Sequence, residues 1–251
     1  MSGRPRVMRL SCDTGEAQTE IGRAAEAELV KLVDVLNIAC GGHAGDDDSM
    51  REAVGDAAAA GRLIAAHPSY PDRASFGRRP MPLSGRDLAN SVADQLAALV
   101  GVCESLGVRV TQVKPHGALY HQAANDPATA QAIEHARKAV IPEAAIVMPC
   151  SAPTTRWWAD RGVPLIAEAF ADRRYQADGT LRDRSSGDAL IAEPEEAYRQ
   201  ARYIAGPDRA IAVHGQRVAL KADQLCVHSD GVNAVAVARR VRAALDEHAI
   251  L

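Results

Sequence analysis

Seven times along this chain a short aliphatic or β-branched run leads into a polar turn and then into a segment whose apolar residues recur at helical spacing. The runs at residues 7–12, 34–40, 63–66, 109–114, 145–148, 165–168 and 225–228 read as strands, and residues 20–32, 49–60, 85–106, 128–140, 153–161, 195–205 and 233–247 as helices. The clearest helix carries Leu88, Val92, Leu96, Leu99, Cys103 and Leu106 on one face, begins after Ser84 and stops at Gly107. Asp126 with Pro127 gives a similar start signal, and Gly61 a stop. Only residues 210–221 break the alternation; they read as a β-hairpin turning near Gly215.

Strand-helix alternation of this strictness implies right-handed crossovers and a parallel sheet, either open and doubly wound or closed into a barrel. Closure is expected, because the first turn, CDTGEAQTEIG, lacks the G-x-G-x-x-G that advertises a nucleotide at an open sheet. The 251 residues match the ~250 of one α/β barrel, and no internal repeat or low-complexity tract divides them, so residues 1–251 are expected to form one domain.

Charge and apolar content exclude several classes of partner. There are 29 Lys+Arg against 32 Asp+Glu, a net charge of −3, with no dense basic block; nucleic acid and anionic membrane surfaces are therefore set aside. No apolar stretch approaches the ~20 residues that span a bilayer, and MSGRPRVMRLSCD is not a signal-like start. Five cysteines, an odd number without C-x-x-C spacing, point to a reducing, cytoplasmic setting.

The residues that follow the strands carry the chemistry. Asp13 and Glu16 follow the first, His43 and Asp46 the second, His67 and Tyr70 the third, Lys114 and His116 the fourth, Asp172 and Arg173 the sixth, His228 and Asp230 the seventh. In a parallel barrel these positions converge on the carboxyl-terminal mouth, where such folds build active sites. Four of the eight histidines lie there, a set suited to hydrolysis or proton transfer. Dispersed His and Asp can also hold a divalent metal, with Asp13, His43 and His67 as the candidates, although no H-E-x-x-H motif is present. Cys12 and Cys40 adjoin the mouth, either as thiols or as buried packing. There is no G-x-x-x-x-G-K-[ST], and CGGHAGDDD ends in three aspartates that repel a triphosphate, so ATP is not expected to bind through a P-loop. Phe76-Gly77-Arg78-Arg79 offers a guanidinium for a small carboxylate, or else a solvated Arg pair. Arg79 is the choice, since Pro80 restrains its backbone.

The motifs CDTGE, NIACGGHAGD, AAHPSYPD with FGRR, VKPHGALY, EAFADRRY with DGTLRDR, and CVHSDG occur in this order from about residue 9 to residue 245. Together they resemble the 5-oxoprolinase A-subunit family, also called the LamB/YcsF lactam-utilisation family. The resemblance implies a distorted (β/α)7-type barrel of glycoside hydrolase/deacetylase kind. It further implies a role in the ATP-dependent opening of 5-oxoproline to glutamate with partner subunits B and C. Carried onto this sequence, it marks Asp13, Gly15, Glu16, Asn37, His43, Asp46, His67, Tyr70, Lys114, His116, Tyr120, Asp172 and His228. Catalysis is assigned to Asp13, His43, Lys114 and His116: proton transfer to Asp13 and His116, oxyanion stabilisation to Lys114, and orientation of substrate or metal to His43 with His67. Glu16, Asn37, Tyr70, Tyr120, Asp172 and His228, with Arg79, are assigned to substrate. The chain departs from the family pattern at Ser11 (usually Asn), Gly42 (an aromatic), Asp47 (Pro) and Ser229 (Gly).

A five-membered lactam recloses readily because its amine is tethered beside its carboxyl, an advantage reaching ~10⁵ M in effective concentration, so opening it benefits from ATP. A chain without a P-loop suits a division of labour in which a partner activates the lactam. Two other classes stay open: a stand-alone metal-dependent amidohydrolase or deacetylase, and a non-catalytic lactam-binding subunit.

Overall fold

The structure is a computed structural model that describes residues 8–206, 209–211, 217–231 and 233–249. Strands β1 (Arg9–Thr14), β2 (Val35–Ala39), β3 (Leu63–His67), β4 (Val110–Val113), β5 (Ala145–Pro149) and β6 (Leu165–Phe170) pair in sequence order, all parallel. A two-stranded antiparallel ribbon, β7 (Arg209–Ile211) with β8 (Arg217–Ala219), interrupts the series before β9 (Gln224–Val227). Strand β9 then pairs with both β6 and β1 and closes a seven-stranded barrel. The expected (β/α)7-type closure and the hairpin are both present; the turn expected near Gly215 lies outside the described residues.

Helices α1 (Glu20–Leu32), α2 (Asp47–Ala59), α3 (Gly85–Ser105), α4 (Gly117–Asn125), α5 (Pro127–Val140), α6 (Thr155–Ala159) and α7 (Pro194–Ala205) occupy connections between strands, and α8 (Ala234–Ala249) follows β9. β2 is buried along its whole length and β1 everywhere after Arg9, as strands covered on both faces must be. Helix α3 buries Leu88, Val92, Leu96, Leu99 and Cys103, the stripe read from the sequence, and Ser84 caps it by accepting from the Asp87 N–H. Asp46 caps α2 in a reciprocal box with Ser49, and Asp47 and Asp48 fill the first turn, where the helix dipole favours negative charge. The acidic stretch after the second strand thus starts a helix.

Helix α4 is the element missed by periodicity. Its nine residues bury Ala118, Leu119, Tyr120, Ala123 and Ala124 and run almost directly into the Asp126 cap of α5. No described helix is long and apolar enough to cross a membrane, and none of the five cysteines forms a disulfide.

Candidate active site

Two long connections shape the mouth. Between β3 and α3 the chain turns back on itself, with the Gly77 N–H donating to the Asp72 carbonyl and the Gly77 carbonyl accepting from the Ala118 N–H at the start of α4. Phe76 sits at φ 56, a left-handed conformation that costs a non-glycine residue on the order of 1 kcal/mol, and its carbonyl accepts from His116 Nε2 at 3.0 Å. Gly77 cannot carry a side chain: a Cβ there would lie 2.9 Å from the Cβ of His43. A second clasp holds the start of this connection. Gln95 of α3 donates from Nε2 to the Ser69 carbonyl (2.9 Å) and accepts from the Ser69 N–H (3.0 Å). It leaves no room opposite, since a Cβ at Gly42 would lie 2.4 Å from both Gln95 Oε1 and Ser69 Oγ. The departure at position 42 is thereby accommodated.

The second connection, between β6 and α7, folds over the mouth through isolated bridges from Arg173 to Leu190 and from Tyr175 to Leu181. Between the two connections lies a cavity of about 380 Å³. Asp13, Glu16, His67, Lys114 and His116 line it together with His121, Phe170, His228 and arginines 78, 173, 182 and 184.

At its base a buried ion network crosses the barrel. Lys114 Nζ donates to Asp13 Oδ1 at 2.9 Å, contacts Cys226 Sγ at 2.9 Å and lies 3.5 Å from Glu168 Oε1. Asn37, opposite Asp13 in the β1–β2 register, donates to the same Oδ1 at 2.9 Å, and Tyr120 donates to Glu168 Oε2 at 2.9 Å. Burial alone would raise the Asp13 carboxyl, but Lys114 and His67 hold it well below its usual range. Burial likewise works against the Lys114 ammonium, yet Asp13, Cys226 and Glu168 keep it charged well above its ordinary range. Burial dominates at Glu168, whose carboxyl is pushed up. It also pushes the Cys12 thiol well up and the Cys40 thiol to about 12, so both are packing groups.

Beside this network three imidazoles meet one carboxylate. Glu26 accepts the backbone N–H groups of Gly15, Glu16 and Ala17, which fixes the β1–α1 turn with Glu16 turned inward. Glu16 Oε1 lies 2.7 Å from His43 Nε2, 3.4 Å from His116 Nδ1 and 3.8 Å from His67 Nε2. His43 stacks on His116 with centroids 3.6 Å apart, and His67 meets both edge-on. Burial depresses His43 to about 3 and takes His116 well below its usual value, with His67 adding to both. Burial, with Asp13 beside it, pushes the Glu16 carboxyl well up.

On the opposite wall Asp172 Oδ2 accepts from the backbone N–H of His228 (2.7 Å) and faces His228 Nδ1 (2.9 Å). Burial would raise Asp172, but His228 holds it below the usual carboxylate range. Phe170 stacks against the His228 ring, 5.5 Å between centroids. A carboxylate on Nδ1 fixes the proton there and leaves Nε2 as the second nitrogen of a ring that lines the cavity.

Most residues expected from the sequence come together here, but not all at the cavity. His43 touches Glu16 behind the cavity wall, and Asn37 supports Asp13 from beneath. Tyr70 is buried away from the cavity, donating to Gln122 Oε1. Arg79 is exposed and does not line the cavity; its neighbour Arg78 does, paired with Asp230 at 2.6 Å, and Arg184 shares that carboxylate. Arg173 is buried, donates to the Arg182 carbonyl, and among the described residues makes no ion pair within 4.0 Å; its Nε has no partner. Glu168 and Cys226 were not singled out from the sequence. The signal for Glu168 was available, a carboxylate inside the apolar run LIAEAF, whereas a cysteine in a strand carries none.

The LamB/YcsF family model matches residues 8–251. The 5-oxoprolinase A-subunit of Methylococcus capsulatus is 43% identical over 94% of this chain and 91% of its own length. The crystal structure of the lactam utilization protein from Thermus thermophilus is 37% identical, covers 96% of each chain and superposes with a TM-score of 0.87. A GH20 catalytic module of a pneumococcal exo-β-D-N-acetylglucosaminidase shares only the fold, at 8% identity and a TM-score of 0.53 over 98% of this chain and 85% of that one. With nearly its whole length matched and a barrel mouth assembled from the residues that carried the resemblance, the chain belongs to the LamB/YcsF family.

Proposed function

We propose that this chain is the lactam-handling component of an ATP-dependent 5-oxoprolinase that opens 5-oxoproline to L-glutamate. The observation that carries the reading is the pairing, across one cavity, of an oriented Asp172–His228 dyad with the buried Lys114 ammonium. Addition of water to the lactam carbonyl carbon requires a base for the water proton, a cation for the oxygen that gains charge, and an acid for the ring nitrogen as the C–N bond breaks. His228 takes the water proton on Nε2 and returns it to the leaving nitrogen. Lys114 faces the developing oxyanion.

Proton transfer moves here from the pair expected from the sequence. Asp13 is held by Lys114 and is too weak a base when its pKa is low, and both His116 nitrogens are engaged, with Phe76 and with the His67–Glu16 group. Arg173, rather than Arg79, receives the substrate carboxylate. Partner chains, subunits B and C, supply the ATP step in the cytoplasm, where a reducing setting suits five cysteines that form no disulfide.

The test is an assay of 5-oxoproline cleavage by the purified chain, with and without candidate partner chains and ATP. Cleavage that needs all components supports the reading. Steady turnover by this chain alone without ATP overturns it in favour of a stand-alone amidohydrolase, and a complex whose turnover survives His228→Gln reduces this chain to a binding role.

A further inference from the structure

The three-histidine group has a proton arrangement that neutral imidazoles cannot satisfy. His67 Nδ1 lies 2.6 Å from the Lys114 carbonyl and His116 Nε2 lies 3.0 Å from the Phe76 carbonyl. A carbonyl only accepts, so each of those outward nitrogens carries the hydrogen. The inward nitrogens, His67 Nε2 and His116 Nδ1, are then bare lone pairs, and they face each other at 2.9 Å. Glu16 Oε1, a further acceptor, closes on both and on His43 Nε2, and all four atoms lie within 4.8 Å of one another. His43 Nε2 can face Glu16 as donor or as lone pair, since its Nδ1 has no partner, but the bare nitrogens of His67 and His116 beside Glu16 Oε1 repel unless a cation sits among them. One proton relieves a single pair; a divalent metal relieves every contact.

We propose that Glu16, His43, His67 and His116 form a divalent transition-metal site of the zinc type. A tetrahedron with bonds of about 2.0–2.1 Å has ligand atoms roughly 3.3 Å apart. The contacts of 2.7, 2.9, 3.4 and 3.8 Å bracket that spacing, and the remaining pairs lie within 4.8 Å, so the rings would draw in around an ion. Imidazole-rich donors with one carboxylate suit zinc or cobalt better than magnesium or calcium, which take all-oxygen shells. The outward N–H to carbonyl bonds of His67 and His116 are the supporting contacts that fix ring orientation and tautomer at metal-bound histidines. The left-handed backbone of Phe76 has a use in this arrangement, since its carbonyl oxygen meets His116 Nε2 at 3.0 Å. The ligand set differs from the one expected from the sequence: Asp13 Oδ1 lies 3.6 Å from His67 Nε2 but is held by Lys114, and Glu16, which reaches all three imidazoles, stands in its place. The site does not depend on what the cavity binds, so it stands or falls apart from the lactam reading.

The test uses the full chain, stripped with a chelator and titrated with Co²⁺ or Zn²⁺ alone. The expected result is one equivalent bound at micromolar or tighter affinity, with the intense visible bands of four-coordinate Co²⁺ that Zn²⁺ displaces. Glu16→Gln and His67→Gln should each weaken Co²⁺ binding 100-fold or more, while His135→Gln, on the outside of α5, should not. Circular dichroism in chelator reports whether each variant folds. If one does not, the other variant and the wild-type spectrum decide. No binding by the wild-type chain below 100 µM, or unchanged binding in a folded Glu16→Gln or His67→Gln chain, overturns the site.

Discussion

Lys114 Nζ and Asp13 Oδ1, 101 residues apart in sequence, lie 2.9 Å apart at the base of the barrel mouth, both nearly inaccessible to solvent. Removing the cation alone leaves buried carboxylates at Asp13 and Glu168 without a counter-charge. Lys114→Met should therefore cost about 3–5 kcal/mol of folding stability in urea titration, and adding Asp13→Asn should recover part of that loss. A double variant no more stable than the single one would show that the pair is not the buried charge balance.

Asp172 and His228 form the only carboxylate–imidazole pair on the cavity wall opposite the histidine cluster among the described residues. In the assembled complex His228→Gln should lower kcat by about 10²–10⁴ while KM for 5-oxoproline changes little, and Asp172→Asn should fall in the same direction. A change confined to KM would place both residues in binding alone.

Arg173 lines the cavity, is buried, and among the described residues has no carboxylate within 4.0 Å, which makes it the cation to test for the substrate carboxylate. Arg173→Met should weaken 5-oxoproline binding by roughly 10- to 150-fold, the equivalent of about 1.5–3 kcal/mol for a charge-assisted bond. Binding of the uncharged ring analogue 2-pyrrolidone should hardly change. Arg79→Ala should leave both ligands unaffected in calorimetry, and a selective loss there instead would return the carboxylate site to Arg79.

Asp126 caps α5 by accepting the N–H groups of Ala128 and Thr129 and the Thr129 hydroxyl, and the hydroxyl bond leads in holding its carboxyl below the usual value. A carboxyl with a folded-state pKa below its unfolded value stabilises above the unfolded pKa and loses that contribution as pH falls through the folded one. Asp126→Ala should cost about 0.5–1 kcal/mol at neutral pH. The gap between variant and wild type should shrink as the pH is lowered below about 4. A gap that persists in acid would mean that the cap is not acting through its charge.

Much of this arrangement was legible because a parallel barrel sends successive strand ends to one rim. His67 ends β3, and His43 and His116 follow β2 and β4, three neighbours in the sheet, so alternation alone brought them together. The choice between Arg78 and Arg79 was not legible, because the left-handed residues Phe76 and Gly77 just before them redirect the chain. Nor was α4, whose nine residues are too short and too evenly apolar to display a period. The role of Glu16 depended on Glu26 gathering three N–H groups of the preceding turn, a contact between residues ten apart that spacing does not announce.

Gly42 and Gln95 are joined by occupancy, one lacking the atoms that the other would meet. They form an epistatic pair. A larger residue at position 42 would meet Gln95 Oε1 and Ser69 Oγ together, and a shortened residue at 95 would leave the Ser69 N–H and carbonyl without their partner. Between two chains of this fold that differ at both positions lies an intermediate in which one of these contacts is broken. Exchanging one residue alone between such relatives reports on that intermediate rather than on the function of the residue moved.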